Sequence, residues 1–565
     1  DNTSGTNTAG GALAATNLNT AAGGTLNMGT NALSLSGTPT SLGIIRTQNT
    51  SGTPLPSSRT WGGTVQYDGS GAQTVVNGTY GILNLNNSAG FSPSFVTVTT
   101  LNLQSGLYNI ANGVPTHIAS GGTAASTGGT VSSSTGTLFF DGSGTISGTL
   151  DLWDVTISGA VDFGTSSTVH DIFTISSGGS VSTNPPLYGS SSTLQYGTGS
   201  SITIGAEWPA GTSGSTIPNN VTIASGTTFS LGSSGARTCR GVLTIGFGSF
   251  SLGTMASPLT VKGNMNISSS SGTLILSTVA GGDIIVAGFW GNNGGTFTAN
   301  GRTVTLTSTT STTITGGLTG SNKFFNLTLD GVGGVWGFLS TSAMDVGGNL
   351  TITNGTLNGV ASGGTISVAG NWSNSGTFNS SGSGTVTLNG SGAQTISGTN
   401  NFNNLTVTNS AANIALANGS IDTIRGTFTP NGTSFGSVTG STLTFIAAGA
   451  QSVPAFNYHN MNISGARSLN TSVTLAGSGT IGVAGTFNPT PTFAGTGAYV
   501  VTGSTVDFNG SSAQTIPLSA SYPYNNLTSD NTDPSGATIG SAVTATNVQG
   551  NLTVASGLLN TNNLA

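Results

Sequence analysis

Apolar and polar residues alternate in short runs along most of the chain, as in TVTL from Thr385 and LTVT from Leu405. A period of two predicts half-buried β-strands. Asn-Gly, Gly-Ser and Ser-Gly pairs bound the runs, so turns separate short strands. No stretch combines helical periodicity with capping residues, and almost no helix is expected.

The runs recur as motifs. One joins an aromatic residue, one or two Asn and an alternating strand: FNNLTV from Phe402, YNNLTS from Tyr524, FFNLTL from Phe324 and YHNMNI from Tyr458. A second reads TVTLNGSGAQTI from Thr385, TVDFNGSSAQTI from Thr505 and TVQYDGSGAQTV from Thr64. A third is GNLTITNGTL from Gly348 and GNLTVASGLL from Gly550; a fourth is ISVAGNW from Ile366 and IGVAGTF from Ile481. One apolar position per motif (Leu306, Leu327, Leu350, Val368, Leu388 and onward) recurs every 16–25 residues. A tandem array of β-sandwiches would place strands every ~8–12 residues within separate domains. The shared interval instead predicts an all-β chain: a β-solenoid, of the right-handed parallel β-helix kind, with about 25 coils. Residues 1–40 read as N-terminal strands that act as an inter-subunit donor or a cap. Residues 41–565 read as continuous solenoid with superrepeats of three to four coils.

Composition supports this architecture. Of 565 residues 91 are Gly, and only 4% are charged, against roughly 25% in an average protein. Successive coils lie about 4.8 Å apart, so an ionised residue repeated in a stack faces its own charge. Asn, Thr and Ser can hydrogen-bond up and down such a stack. Asn326, Asn404, Asn460 and Asn526 are therefore expected as ladder residues, with the rings of Tyr67, Phe140, Tyr196, Phe445 and Phe508 at one level inside. A net charge of −6 gives no electrostatic footprint for nucleic acid or an anionic membrane surface. No apolar run is long enough for a transmembrane helix. Cys239 stands alone, which excludes an intrachain disulfide.

The GSGAQTI, FNNLTV and GNLTI segments resemble the Gly/Ser/Thr/Asn-rich β-helical repeat regions of large secreted bacterial surface proteins, the adhesin-like class. The resemblance implies export to the cell exterior or surface, and the polar start at Asp1 reads as a mature chain without its signal peptide.

Catalytic parts are few: His117, His170 and His459, the single Glu207, and 14 Asp. The densest acidic region is Asp151, Asp154, Asp162 and Asp171, beside His170. Paired carboxylates there would suit glycosidic acid/base chemistry or Ca²⁺, whereas solvated acids at coil corners need no function. No metal-type Cys/His spacing or phosphate-binding loop is present, and no cofactor is expected. The leading expectation is a non-enzymatic extracellular structural protein that polymerises head to tail with itself into a filament, fibre or surface layer. An adhesin stalk binding glycans or host surfaces is the first alternative, and a β-helix carbohydrate-active enzyme the second.

Overall fold

A computed structural model describes residues 4–132, 136–233, 235–339, 343–360, 363–380, 382–432, 435–446, 452–454, 457–463, 467–469, 473–475, 480–483, 487–488, 499–500, 505–511, 513–518, 520 and 523–562. The chain is an all-β parallel β-solenoid of about 23 turns with 1% helix. Among the described residues the helical pieces are single 3₁₀ turns, Gly320–Asn322 and Ala411–Asn413. Two compact units divide the chain, Asp1–Asp283 and Ile284–Ala565. The N-terminal strands already belong to the parallel stack: Gly5–Thr8 lies on Gly24–Asn27, which lies on Ile44–Thr47.

In the first unit the alternation predicted from sequence becomes two inward files. Leu138, Val155, Phe173, Leu194, Val221, Leu243 and Met265 form one. Phe140, Ile157, Ile175, Tyr196, Ile223, Ile245 and Ile267 form the other. All fourteen are buried, each stabilising the stack by roughly 1.5–3 kcal/mol. The intervening residues face outward, so Thr156, Thr174, Gln195, Thr222 and Thr244 make a polar file between them.

The expected single level of rings divides into separate files. Phe140 and Tyr196 share the file above, whereas Tyr67 stacks with Thr47 and Leu85 in another. The reason is the length of the strands Arg59–Tyr67 and Gly78–Asn86, which run on past a register shift and supply inward positions to two files each. In the second unit Phe402, Ile424 and Phe445 are successive partners, and Phe508 pairs with Val483. Tyr67, Phe140, Phe445 and Phe508 are all buried.

The Asn of the aromatic-Asn motif does more than stack. Asn326 Oδ1 accepts the backbone N–H of Asn349, Asn349 Oδ1 that of Asn371, and Asn371 Oδ1 that of Thr395, at 2.9, 2.8 and 2.8 Å. These bonds climb the second unit in steps of 23, 22 and 24 residues. Asn404 bonds Thr427 N–H at 2.8 Å and Asn526 bonds Asn551 N–H at 3.0 Å in the same way. In the first unit Asn220 does so with Val242. Asn460 opens the strand Asn460–Ile463, its N–H on the Ser441 carbonyl at 3.1 Å. Asn220, Asn326, Asn349, Asn404 and Asn526 each sit against a glycine one coil on, whereas Asn371 faces the Gln394–Thr395 step. A Cβ on Gly348 would lie 2.4 Å from Asn326 Oδ1, and one on Gly426 2.4 Å from Asn404 Oδ1. The aromatic-Asn and Gly-Asn motifs are thus the two halves of one contact between consecutive coils.

The GSGAQT motif builds a buried amide corner. Gln73, Gln394 and Gln514 each accept, on Oε1, the N–H of the Gly four residues earlier, at 2.8, 2.9 and 2.8 Å. The same oxygen takes a second donor from Asn87, Asn409 or Asn531, at 3.2, 2.9 and 2.7 Å. Gln394 Nε2 also donates to the carbonyls of Val368 and Gly370 at 2.9 and 2.6 Å, in the coil before. One buried side chain therefore satisfies the backbone of two coils, which buried polar groups require.

Replacing Gly348 by Ala will cost roughly 1–2 kcal/mol and speed amide exchange at Asn349, because the new methyl displaces the accepting oxygen. Combined with Asn326→Ala the cost will fall below the sum of the two single changes, measurable as a double-mutant cycle on the denaturation midpoint. Gln394→Leu will lower stability by about 2–4 kcal/mol in the same assay, since it strands the Gly390 N–H and one N–H of the Asn409 amide in the interior.

Candidate functional site

The acidic region singled out from sequence lies on one corner of the first unit. Asp151–Leu152 pairs with Thr168–Val169, and Asp154–Ile157 with Ile172–Ile175, so Trp153 lies one coil from His170 and Asp171. His170 Nε2 meets Asp151 Oδ1 at 3.2 Å, and its ring stacks on Trp153 with centroids 6.2 Å apart. Trp153 Nε1 donates to Asp171 Oδ2 at 3.1 Å, and Asp154 Oδ1 accepts the Ile172 N–H at 3.0 Å. The structure thus brings together Asp151, Asp154, His170 and Asp171, and each carboxylate is engaged in holding the corner.

Burial raises the Asp154 carboxyl, the Ile172 N–H pulls it down, and the charge of Asp171 raises it further. Asp162 stands apart: its Oδ1 accepts Gly164 N–H at 3.0 Å and both donors of Asn184, at 3.2 and 2.9 Å. Burial raises its carboxyl, and the three bonds together outweigh that and hold it below the usual range. The His170 and Asp151 side chains are 41% and 56% exposed, so their attraction is largely screened by water. Among the described residues, no group of three or more His, Cys, Asp and Glu converges as a metal site.

Among the described residues, the close pairs of a basic side chain and a carboxylate join consecutive coils. Arg46 pairs with Asp68, and His117 Nδ1 with Asp141 Oδ1 at 2.8 Å, separations of 22 and 24 residues. Asp68 and Asp141 are therefore cross-coil partners.

Two buried acids escaped the sequence reading. Glu207 sits 1% exposed in the excursion after Ser201–Thr203, where Oε1 accepts Tyr196 OH and Gly205 N–H, both at 2.9 Å. Tyr188 OH bonds the Glu207 carbonyl at 2.6 Å, and Trp208 Nε1 the Thr238 carbonyl at 2.8 Å. Trp208, Phe229 and Phe250 stack beside them, their planes within 10° of parallel. The acid pins an inserted loop onto the core.

Asp422 is the second. In the strand Ile421–Ile424, Ile421 is 45% exposed while Asp422 is fully buried, the reverse of what their polarity predicts. Asn400, its partner one coil before, is the cause: Asn400 Nδ2 donates to Asp422 Oδ1 at 2.7 Å. Asn400 Oδ1 accepts in turn from Trp372 Nε1 at 2.8 Å and Asn374 Nδ2 at 3.0 Å. Burial pushes the Asp422 carboxyl up to about 7, with the Asn400 bond opposing. Cys239 is a packed residue, its Sγ on the Asn219 and Val242 carbonyls at 3.1 and 3.4 Å and its thiol pushed up to about 12 by burial.

No protein-family model, curated protein or solved structure matches this chain. The class is defined by the fold itself, a parallel β-solenoid repeat protein. No helix among the described residues is long and apolar enough to cross a membrane.

Between the unfolded value near 4 and the folded value near 7, the folded chain holds a proton on Asp422 that the unfolded chain has lost. Stability will therefore decline as pH rises through that window and level off above it. Asp422→Asn will remove this slope and stabilise the chain above pH 7 by about 2–4 kcal/mol, read from denaturation midpoints of the two proteins across pH.

Proposed function

We propose that the chain is an extracellular structural protein of the secreted, adhesin-like bacterial surface type: a β-solenoid subunit of a filament, fibre or surface layer. One observation carries the reading. The residues the sequence repeats most faithfully spend their hydrogen bonds on the neighbouring coil. Asn326, Asn404 and Asn526 each hold the backbone of the coil that comes after. Gln73, Gln394 and Gln514 each join backbone and side-chain amides in the interior. Repetition has been kept where it makes a ladder, which is the pattern of a mechanical element.

Such a ladder extends by any strand of matching register. An uncovered edge offers the N–H and C=O groups that a further coil uses, and a second copy carries the same repeats. Contacts of this head-to-tail kind propagate and do not close, giving fibres. The partner in this reading is the chain itself.

Negative-stain electron microscopy of the purified chain, with light scattering over a concentration series, tests the proposal. Unbranched fibres that lengthen with concentration are expected; dispersed single particles at every concentration would overturn it.

A further inference from the structure

We infer that an outer groove of the first unit, centred on Phe95, binds a neutral saccharide chain. The groove has a volume of about 400 Å³ and runs across the coils at Arg59–Tyr67, Gly78–Asn86 and Val96–Ser105. Along it Thr60, Thr79 and Thr97 stand in register, one per coil, and His117 continues the file. Asn77 and Phe95 flank the same path. This inference is independent of self-assembly, since it concerns a lateral face.

The lining selects the ligand class. Phe95 is 55% exposed, which costs hydration free energy in the empty groove and favours an apolar surface laid on the ring. Beside Arg59 and His117, the polar side chains of the lining are hydroxyls and an amide, which donate and accept without demanding a charge. A sugar ring has both characters, a C–H face for the aromatic and a rim of hydroxyls for the threonines. Arg59 is the charged residue of the lining, and its Nη2 is occupied by the Leu35 carbonyl at 2.7 Å.

The spacing selects a chain over a compact molecule. Equivalent threonines recur about 4.8 Å apart along the stack, so a ligand with hydroxyls at regular intervals meets the same partner coil after coil. The far end is held by two contacts. The His117 ring stacks on Phe139 at 4.8 Å with planes 8° apart, and Asp141 holds its Nδ1 at 2.8 Å. A side chain held in this way loses little conformational entropy when a ligand settles on it.

The test is calorimetric titration of the whole chain with four neutral hexasaccharides, built of glucose, mannose, galactose or N-acetylglucosamine. At least one is expected to bind, with Phe95→Ala weakening it by about tenfold or more and Thr79→Val by several-fold. Both positions are exposed, so circular dichroism and thermal midpoint should match the parent. Phe247→Ala, a change at a ring 59% exposed outside the groove, should bind as the parent does. Failure of all four sugars to bind, or undiminished binding by both groove variants, overturns the inference. Binding of an apolar peptide to the groove with no sugar bound overturns it equally.

Discussion

Every coil must present to the next a surface that its own copy can tolerate at about 4.8 Å. The rest of the structure depends on this constraint. Amide and hydroxyl side chains meet it because each is both donor and acceptor. Asn102 Nδ2 on Asn84 Oδ1 at 2.8 Å and Thr123 on Thr145 at 3.1 Å are direct cases. Charge meets it best where opposite signs face each other, as at Arg46–Asp68, and like charges such as Asp154 and Asp171 raise one another's cost. A chain with 4% charged residues is the compositional outcome.

The same constraint explains why the motifs come in complementary pairs. An Asn at the head of a strand reaches the backbone N–H one coil on, and the approach is so close that the facing residue has no room for a Cβ. Polar atoms carried inward are handled similarly. The Gln corners and the Trp372–Asn400–Asp422 chain work because each inward polar group has its partner in an adjacent coil. Within a low-dielectric interior these networks are strong when complete and costly when one member is lost. Stability is accordingly built from local steps repeated along the stack, as in other repeat proteins.

Much of this was legible in the chain. Alternation marked the strands, the recurrence interval marked the coil, and the repeated Asn, Gln and Gly positions are the ones that join coils. The acidic corner was half legible: Asp151, Asp154, His170 and Asp171 do meet, while Asp162 bonds to Asn184 elsewhere. Along the chain Asp154 and Asp162 look alike; the turn between their strands decides which file each side chain enters. Glu207 and Asp422 gave no signal, because burying an acid depends on a tyrosine or an asparagine from another coil.

By itself the sequence determined the parallel solenoid, its coil length and its poverty of charge, because periodicity and like-on-like stacking are properties of a repeat and need no knowledge of the third dimension. Only the tertiary structure decided which rings share a file, since long strands such as Arg59–Tyr67 feed two files through a register shift. It alone turned Asp422 inward and Ile421 outward, and it alone set Phe95 beside a threonine file on an open groove. Those outcomes rest on which residue lies one coil away, and coils of unequal length hide that neighbour from any reading along the chain.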